Sequence, residues 1–417
     1  MNGIFWIIFV ALLLDYFIGL FSTILNLRQL RSTPPDELED VFAIDEYSRS
    51  QEYTRVRSRF GLVSSSKGLV MLLMFWLIGG FNYVDELSRL IGWNEISSGI
   101  TFIGIISVVI FISNLPFDLY STFVIEERFG FNKTTYLTYV LDTLKGVLIS
   151  VVIGVPLLSG VLYFFEYMGS VAWLYVWGFV TLVSLVLSVV VPVWIMPLFN
   201  KFTLLQPGIL RERIVEYAKS VDFKFGNIYI IDGSKRSAHS NAFFTGFGKT
   251  KRIALFDTLV DQLSVEEIVS VIAHEVGHNK KRHVVYGLLL GILHTGAVLF
   301  LLSLMIENKL LFEAFFMDNT SIYASIVFFG LLMTPIELVI SPLMQLVSRR
   351  HEYEADRWAV QTTVDRSVLV SGLKKLAANN LSNLSPHPLF VVLHYSHPPL
   401  LERVNAIEGQ ADNAYSQ

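Results

Sequence analysis

The chain has 417 residues, of which 53% are hydrophobic and 16% charged, with a net charge of -4 and no cysteine. An ordinary soluble domain carries roughly 25% charged residues, and the mean hydropathy here is +0.53. That composition disfavours a cytosolic enzyme, a disordered chain and a nucleic-acid binder, and the missing thiols remove disulfides, thiolate metal sites and a cysteine nucleophile.

A membrane-spanning helix needs about 20 mostly apolar residues. In chain order, blocks of that kind fall at 3–25, 68–88, 98–118, 146–167, 171–195, 284–306 and 322–346. No Lys or Arg precedes the first block, and Arg28 and Arg31 follow it. A secretory signal has the opposite polarity, so the first block is read as a retained helix. Residues 26–67 mix both charges around a Thr33-Pro34-Pro35 break and suggest a loop with a short helix over 46–60. The fourth and fifth blocks form a tight hairpin around 167–170.

The polar stretch 200–283 predicts a helix over 210–220 and a short strand over 227–232. It then predicts a hairpin of strands 241–245 and 252–257, joined through Gly246 and Gly248. Ser264 and Glu267 make a capping-box signal for a helix that runs to Lys281 and meets the sixth span with almost no linker. A further helix over 348–360 continues from the seventh span.

Loop charge orients the spans. Loops that share a side with the 200–283 stretch hold 30 Lys and Arg, and the opposite loops hold only Arg89 and Lys309. The positive-inside rule then places the N-terminus outside or in a lumen, and the long polar regions 200–283 and 347–417 in the cytoplasm. Asp15 and Glu337 lie inside spans, where charges normally face a bundle interior or water.

The predicted helix after Ser264 carries His274-Glu275-Val276-Gly277-His278. Histidines four apart project from one helix face and can hold one zinc ion together. Zinc lowers the pKa of a bound water toward 7, and a carboxylate at Glu275 can complete its deprotonation. The pattern is the zincin signature. Gly277 is a poor helix former and suggests close packing of another segment. A catalytic zinc needs a third protein ligand. Glu307 and Glu313 fall on the outer side by the loop charges. That leaves Glu352 as the first choice, with Glu354 and Glu337 as alternatives. Glu352 and Asp356 share a helix face, so Asp356 suits an acid that orients a ligand histidine. His397 and Arg403 could supply a donor or cation for the oxyanion of peptide hydrolysis.

Further runs carry a resemblance: Leu115-Pro116-Phe117-Asp118-Leu119-Tyr120, Ile125-Glu126-Glu127-Arg128-Phe129-Gly130-Phe131-Asn132-Lys133-Thr134, Pro197-Leu198-Phe199-Asn200-Lys201-Phe202, and Asp232-Gly233-Ser234-Lys235-Arg236-Ser237-Ala238-His239-Ser240-Asn241-Ala242. With Glu352-Tyr353-Glu354-Ala355-Asp356 and His394-Tyr395-Ser396-His397-Pro398-Pro399, they make the chain resemble the type I CAAX prenyl endopeptidases over nearly its whole length. These are seven-span membrane zinc metalloproteases. The resemblance implies a mainly α fold whose seven helices enclose a water-filled chamber, with a zincin-like cytoplasmic catalytic domain holding a small sheet. It implies one zinc on His274, His278 and Glu352, Glu275 as general base, Asp356 orienting a ligand histidine, and His397 and Arg403 near the scissile bond. It places Asn241 and Ala242 on an edge strand that pairs with extended substrate. Expected partners are the bilayer and a peptide or protein substrate, prenylated or not, without nucleic acid. The expected division is 1–199 for five spans, 200–283 for the catalytic region, 284–346 for spans six and seven, and 347–417 for the segment bearing the third ligand. The rivals are a quality-control protease without prenyl specificity and, from another class, a transporter with a structural zinc.

Overall fold

In a computed structural model, residues 1–31, 33–35, 38, 44–245, 251–363 and 365–409 are described. The membrane part contains α1 (Gly3–Gln29), α2 (Ile44–Leu77), α3 (Gly80–Ile91), α4 (Glu95–Tyr120), α5 (Tyr136–Tyr167), α6 (Ala172–Val190) and α7 (Met196–Phe199). The polar region folds as β1 (Phe202–Leu204), α8 (Ile209–Ser220), β2 (Asn227–Ile231), β3 (Ala242–Thr245), β4 (Arg252–Phe256), α9 (Asp257–Gln262) and α10 (Val265–Lys280). Then come α11 (His283–Met305), α12 (Lys309–Ala314), α13 (Ile322–Leu332), α14 (Thr334–Thr362), α15 (Arg366–Asn379), α16 (Pro388–His394) and α17 (Leu400–Glu408).

Among the described residues, six helical segments are long and apolar enough to cross a membrane, and α13 with α14, bent by 58°, makes a seventh if the pair is taken as one span. The bend falls at Met333, just ahead of Pro335, which sits in the first turn of α14 where its missing N–H costs nothing. Two expectations need correction. The second span does not run to residue 88: α2 ends at Leu77, and Gly79, with φ 75°, turns the chain into the separate amphipathic helix α3. Nor is 46–60 an isolated short helix, since it forms the first half of the 34-residue α2. A hydropathy window averages across a break that two glycines make in a single turn.

The spans are thinly packed. At most 17% of the most apolar stretch of any of these six spans is buried inside the protein, so most of each span's surface is left uncovered by its neighbours. At one end the helices meet in an aromatic cluster in which Phe315 stacks on Phe328 at 3.9 Å and Trp76 stacks on Phe315. Trp76 Nε1 donates to the Ala314 carbonyl at 2.8 Å, which satisfies the buried indole.

The other end carries a separate core. Ile228, Ile253 and Leu255 of the sheet pack with Ile214 and Tyr217 of α8 and with Ile268, Ile272 and Val276 of α10. The strand order is β1-β2-β4-β3, with β2 parallel to β4 and β3 antiparallel to β4. The predicted strand pair is present, while its Gly246 and Gly248 connection lies outside the described residues. β1, only three residues long, had no sequence signal. The Ser264 capping box forms as expected: Ser264 accepts from the Glu267 N–H, and Glu267 accepts from the Ser264 N–H at 2.8 Å.

Candidate metal centre

The site is built where α10 crosses α14. Ala273 on α10 and Ala355 and Ala359 on α14 are fully buried, and small side chains let the two backbones approach. Gly277 sits at the closest point. A Cβ there would stand 3.0 Å from Trp358 Cβ and 3.1 Å from the Ala355 Cα and carbonyl oxygen. This explains a glycine between two histidines of a helix. Gly277→Val is therefore expected to push the helices apart, cost about 1–3 kcal/mol as overpacking does, and lower metal content in the purified protein.

The close approach puts Glu352 of α14 opposite the two histidines of α10. Glu352 Oε1 lies 3.2 Å from His278 Nε2, and Oε2 lies 3.4 Å from His274 Nε2. One donor atom from each of the three residues falls within 4.8 Å of the others, and this is the only such His/Asp/Glu group among the described residues. Two features favour a cation there. The His274 and His278 Nε2 atoms face each other at 3.2 Å, a contact that a shared proton or shared metal relieves. Glu352 Oε2 is buried and has no hydrogen-bond partner, which is costly unless something positive satisfies it.

The surroundings fix the ring orientation. Asp356, fully buried, accepts from His274 Nδ1–H at 2.8 Å, which turns the opposite nitrogen, Nε2, toward the site. Burial by itself would push the His274 pKa down, but Asp356 by charge and hydrogen bond, helped by Glu352, lifts it to about 9. The pocket thus attracts positive charge. Arg403 of α17 grips Asp356 through Nε at 2.8 Å and Nη2 at 2.6 Å, a bidentate fork with little solvent access. Burial pushes the Glu275 carboxyl above the usual range, with the two histidines opposing the shift.

His397 stands at the open side, its Nε2 3.4 Å from Glu352 Oε1 and its Nδ1 2.8 Å from Ser396 Oγ. With Arg403, Tyr395 and Asn380 it lines a cavity of about 470 Å³. Asn241 and Ala242 lie at the start of the edge strand β3. The Asn241 carbonyl accepts from Phe256 N–H of β4, so the next residue, Ala242, turns its backbone groups to the open edge. Of the acids considered for the third ligand, Glu354 bonds to His283 instead, at 3.1 Å, and Glu337 pairs with His294 at 3.0 Å. Asp15 and Glu337 line one cavity of about 400 Å³ with His394, in keeping with a wet interior. Sequence reasoning passed over His283, because five residues after His278 is the wrong helix face, and no local pattern marked His294 as a partner of Glu337.

With this geometry in place, the known proteins that the chain is similar to can be set beside it. Residues 23–201 match the profile of the CAAX prenyl protease N-terminal region with five membrane helices, and residues 205–411 match peptidase family M48. A CAAX prenyl protease 1 homologue of Oryza sativa subsp. japonica is 37% identical over 93% of this chain and 94% of its own. CAAX prenyl protease 1 of Saccharomyces cerevisiae is 33% identical over 93% and 92%, respectively. The chain belongs to the type I CAAX prenyl endopeptidases of peptidase family M48. A crystal structure of S. mikatae Ste24p is similar with a TM-score of 0.93 at 32% identity, covering 98% of this chain and all of that one. This M48 member is an integral-membrane metalloendopeptidase with a multi-pass helical fold, which is the expected class. None of these relatives is named as a transporter.

Proposed function

We propose that the metal of this peptidase is a single zinc ion held by His274, His278 and Glu352, and that Glu275 is the general base. The observation that carries this is the meeting of two imidazole nitrogens and one carboxylate at a single point, with the rest of that carboxylate unsatisfied. Two nitrogens and an oxygen form a common catalytic zinc set. Zinc bound there would supply a water of near-neutral pKa and would polarise the scissile carbonyl.

The chain's own residues do the remaining work. The Glu275 carboxylate accepts a proton from the attacking water and returns it to the leaving amine nitrogen. Asp356, fixed by Arg403, holds His274 in the tautomer whose Nε2 faces the site. His397 is the exposed group beside Glu352 and donates to the carbonyl oxygen as negative charge develops on it. Backbone groups at Ala242 align an extended substrate as an added strand, with Asn241 at the entrance to that edge.

In the same proposal, residues 1–199 and 284–346 wall the chamber, while 200–283 and 347–417 form the catalytic end facing the cytoplasm or the chamber. The loop charges support that orientation. The names of the relatives support a prenylated CAAX-type peptide as substrate. Vesicle-reconstituted protein should cleave a C-terminally prenylated peptide with a higher kcat/KM than its unprenylated copy, read by mass spectrometry of products. Equal rates would leave the peptidase intact and replace lipid-specific maturation by general cleavage of membrane-associated proteins.

A further inference from the structure

His274 has Asp356 behind it. His278 has a different support, made by the junction of α10 and α11. α10 stops at Lys280, and Arg282 turns the chain with φ 61°, a left-handed conformation that a residue with a side chain rarely adopts. In an unbroken helix the residue five after His278 would point about 140° away from it. The turn at Arg282 brings His283 back, so that its Nδ1 lies 3.1 Å from His278 Nδ1. The His283 Nε2 lies 3.1 Å from Glu354 Oε2, and Glu354 in turn lies 3.4 Å from Arg350. The His283 side chain is only 5% exposed, and its ring stacks flat on His351 at 4.0 Å and 7°.

We propose that His283, backed by Glu354, is the positioning residue for the metal ligand His278. The proton assignment is forced once His278 uses Nε2 toward the site. Its Nδ1 then carries hydrogen and donates. His283 Nδ1 must accept, which leaves the His283 Nε2–H to donate to the Glu354 carboxylate. Every link is satisfied, and both ring nitrogens of a buried histidine are used. Glu354, two residues after Glu352, thus acts through a histidine, where Asp356 acts directly. A relay that ends on a carboxylate fixes the ligand ring and raises its basicity.

The inference rests on the metal reading above, and the test separates the two. Full-length protein in detergent is stripped, and its zinc affinity is measured by chelator competition. Cobalt(II) is bound in parallel to read the visible spectrum of the centre. His283→Ala should weaken zinc by roughly 10- to 100-fold and alter the cobalt spectrum, with peptide hydrolysis restored at excess zinc. Glu354→Gln should move both readouts the same way by less. His351→Ala removes the stacked neighbour alone and should leave the zinc affinity where it was. If His283→Ala does not fold, Glu354→Gln against His351→Ala still decides. Unchanged affinity and spectrum in the first two variants would overturn the proposal, as would an equal loss in His351→Ala. Failure of the unsubstituted chain to bind metal would instead overturn the metal reading itself.

Discussion

Glu275→Gln is expected to keep its full metal content and to lose about 10³-fold in kcat for peptide hydrolysis. Glu275 is absent from the group of converging donor atoms, and glutamine has nearly the same shape, so the donor set is left intact. What disappears is a group able to take and return a proton, and positioned acid–base catalysis contributes about 10²–10⁴-fold. A thousandfold loss corresponds to about 4 kcal/mol of transition-state stabilisation. Metal analysis beside single-turnover hydrolysis checks the prediction. Near-normal turnover in a metal-loaded variant would remove Glu275 from the chemistry.

Most of the membrane architecture could be read in advance, because a bilayer imposes a length and a polarity that hydropathy registers directly. The helix of the metal centre was readable for a similar reason: a capping box and two histidines four apart are both local patterns. What escaped was set by tertiary geometry. The break at Gly79 and the bend at Met333 each turn the chain within a run apolar enough to read as one span. β1 has three residues and gains its place by pairing with β2, from Phe202 opposite Ile231 to Leu204 opposite Tyr229. That β2 lies parallel beside β4 is a long-range fact. His283 escaped because helical periodicity argues against it, and a single left-handed residue reverses that argument. Among the acids near the seventh span, spacing ranked Glu352 first without excluding Glu354. Packing separated them by turning one carboxylate to α10's histidine pair and the other to His283.

Asp356 and Arg403 permit a sharper test, because one pair of side chains serves both stability and the site. Asp356 is fully buried, and Arg403 beside it is 12% exposed. Removing one partner leaves a buried charge unpaired, which typically costs about 3–5 kcal/mol, whereas replacing both by apolar groups of similar volume is often neutral. Asp356→Asn and Arg403→Met should therefore each lower the thermal midpoint in detergent clearly. The double variant Asp356→Leu/Arg403→Met should regain most of that loss. Metal affinity should not follow. In the double variant His274 Nδ1–H has lost its acceptor at 2.8 Å, so its ring is free to turn and its tautomer is no longer set. Zinc should then bind roughly 10- to 100-fold more weakly although the fold has recovered. If stability and zinc affinity instead return together, Asp356 is merely a buried ion-pair partner, and the orientation of His274 must come from packing alone.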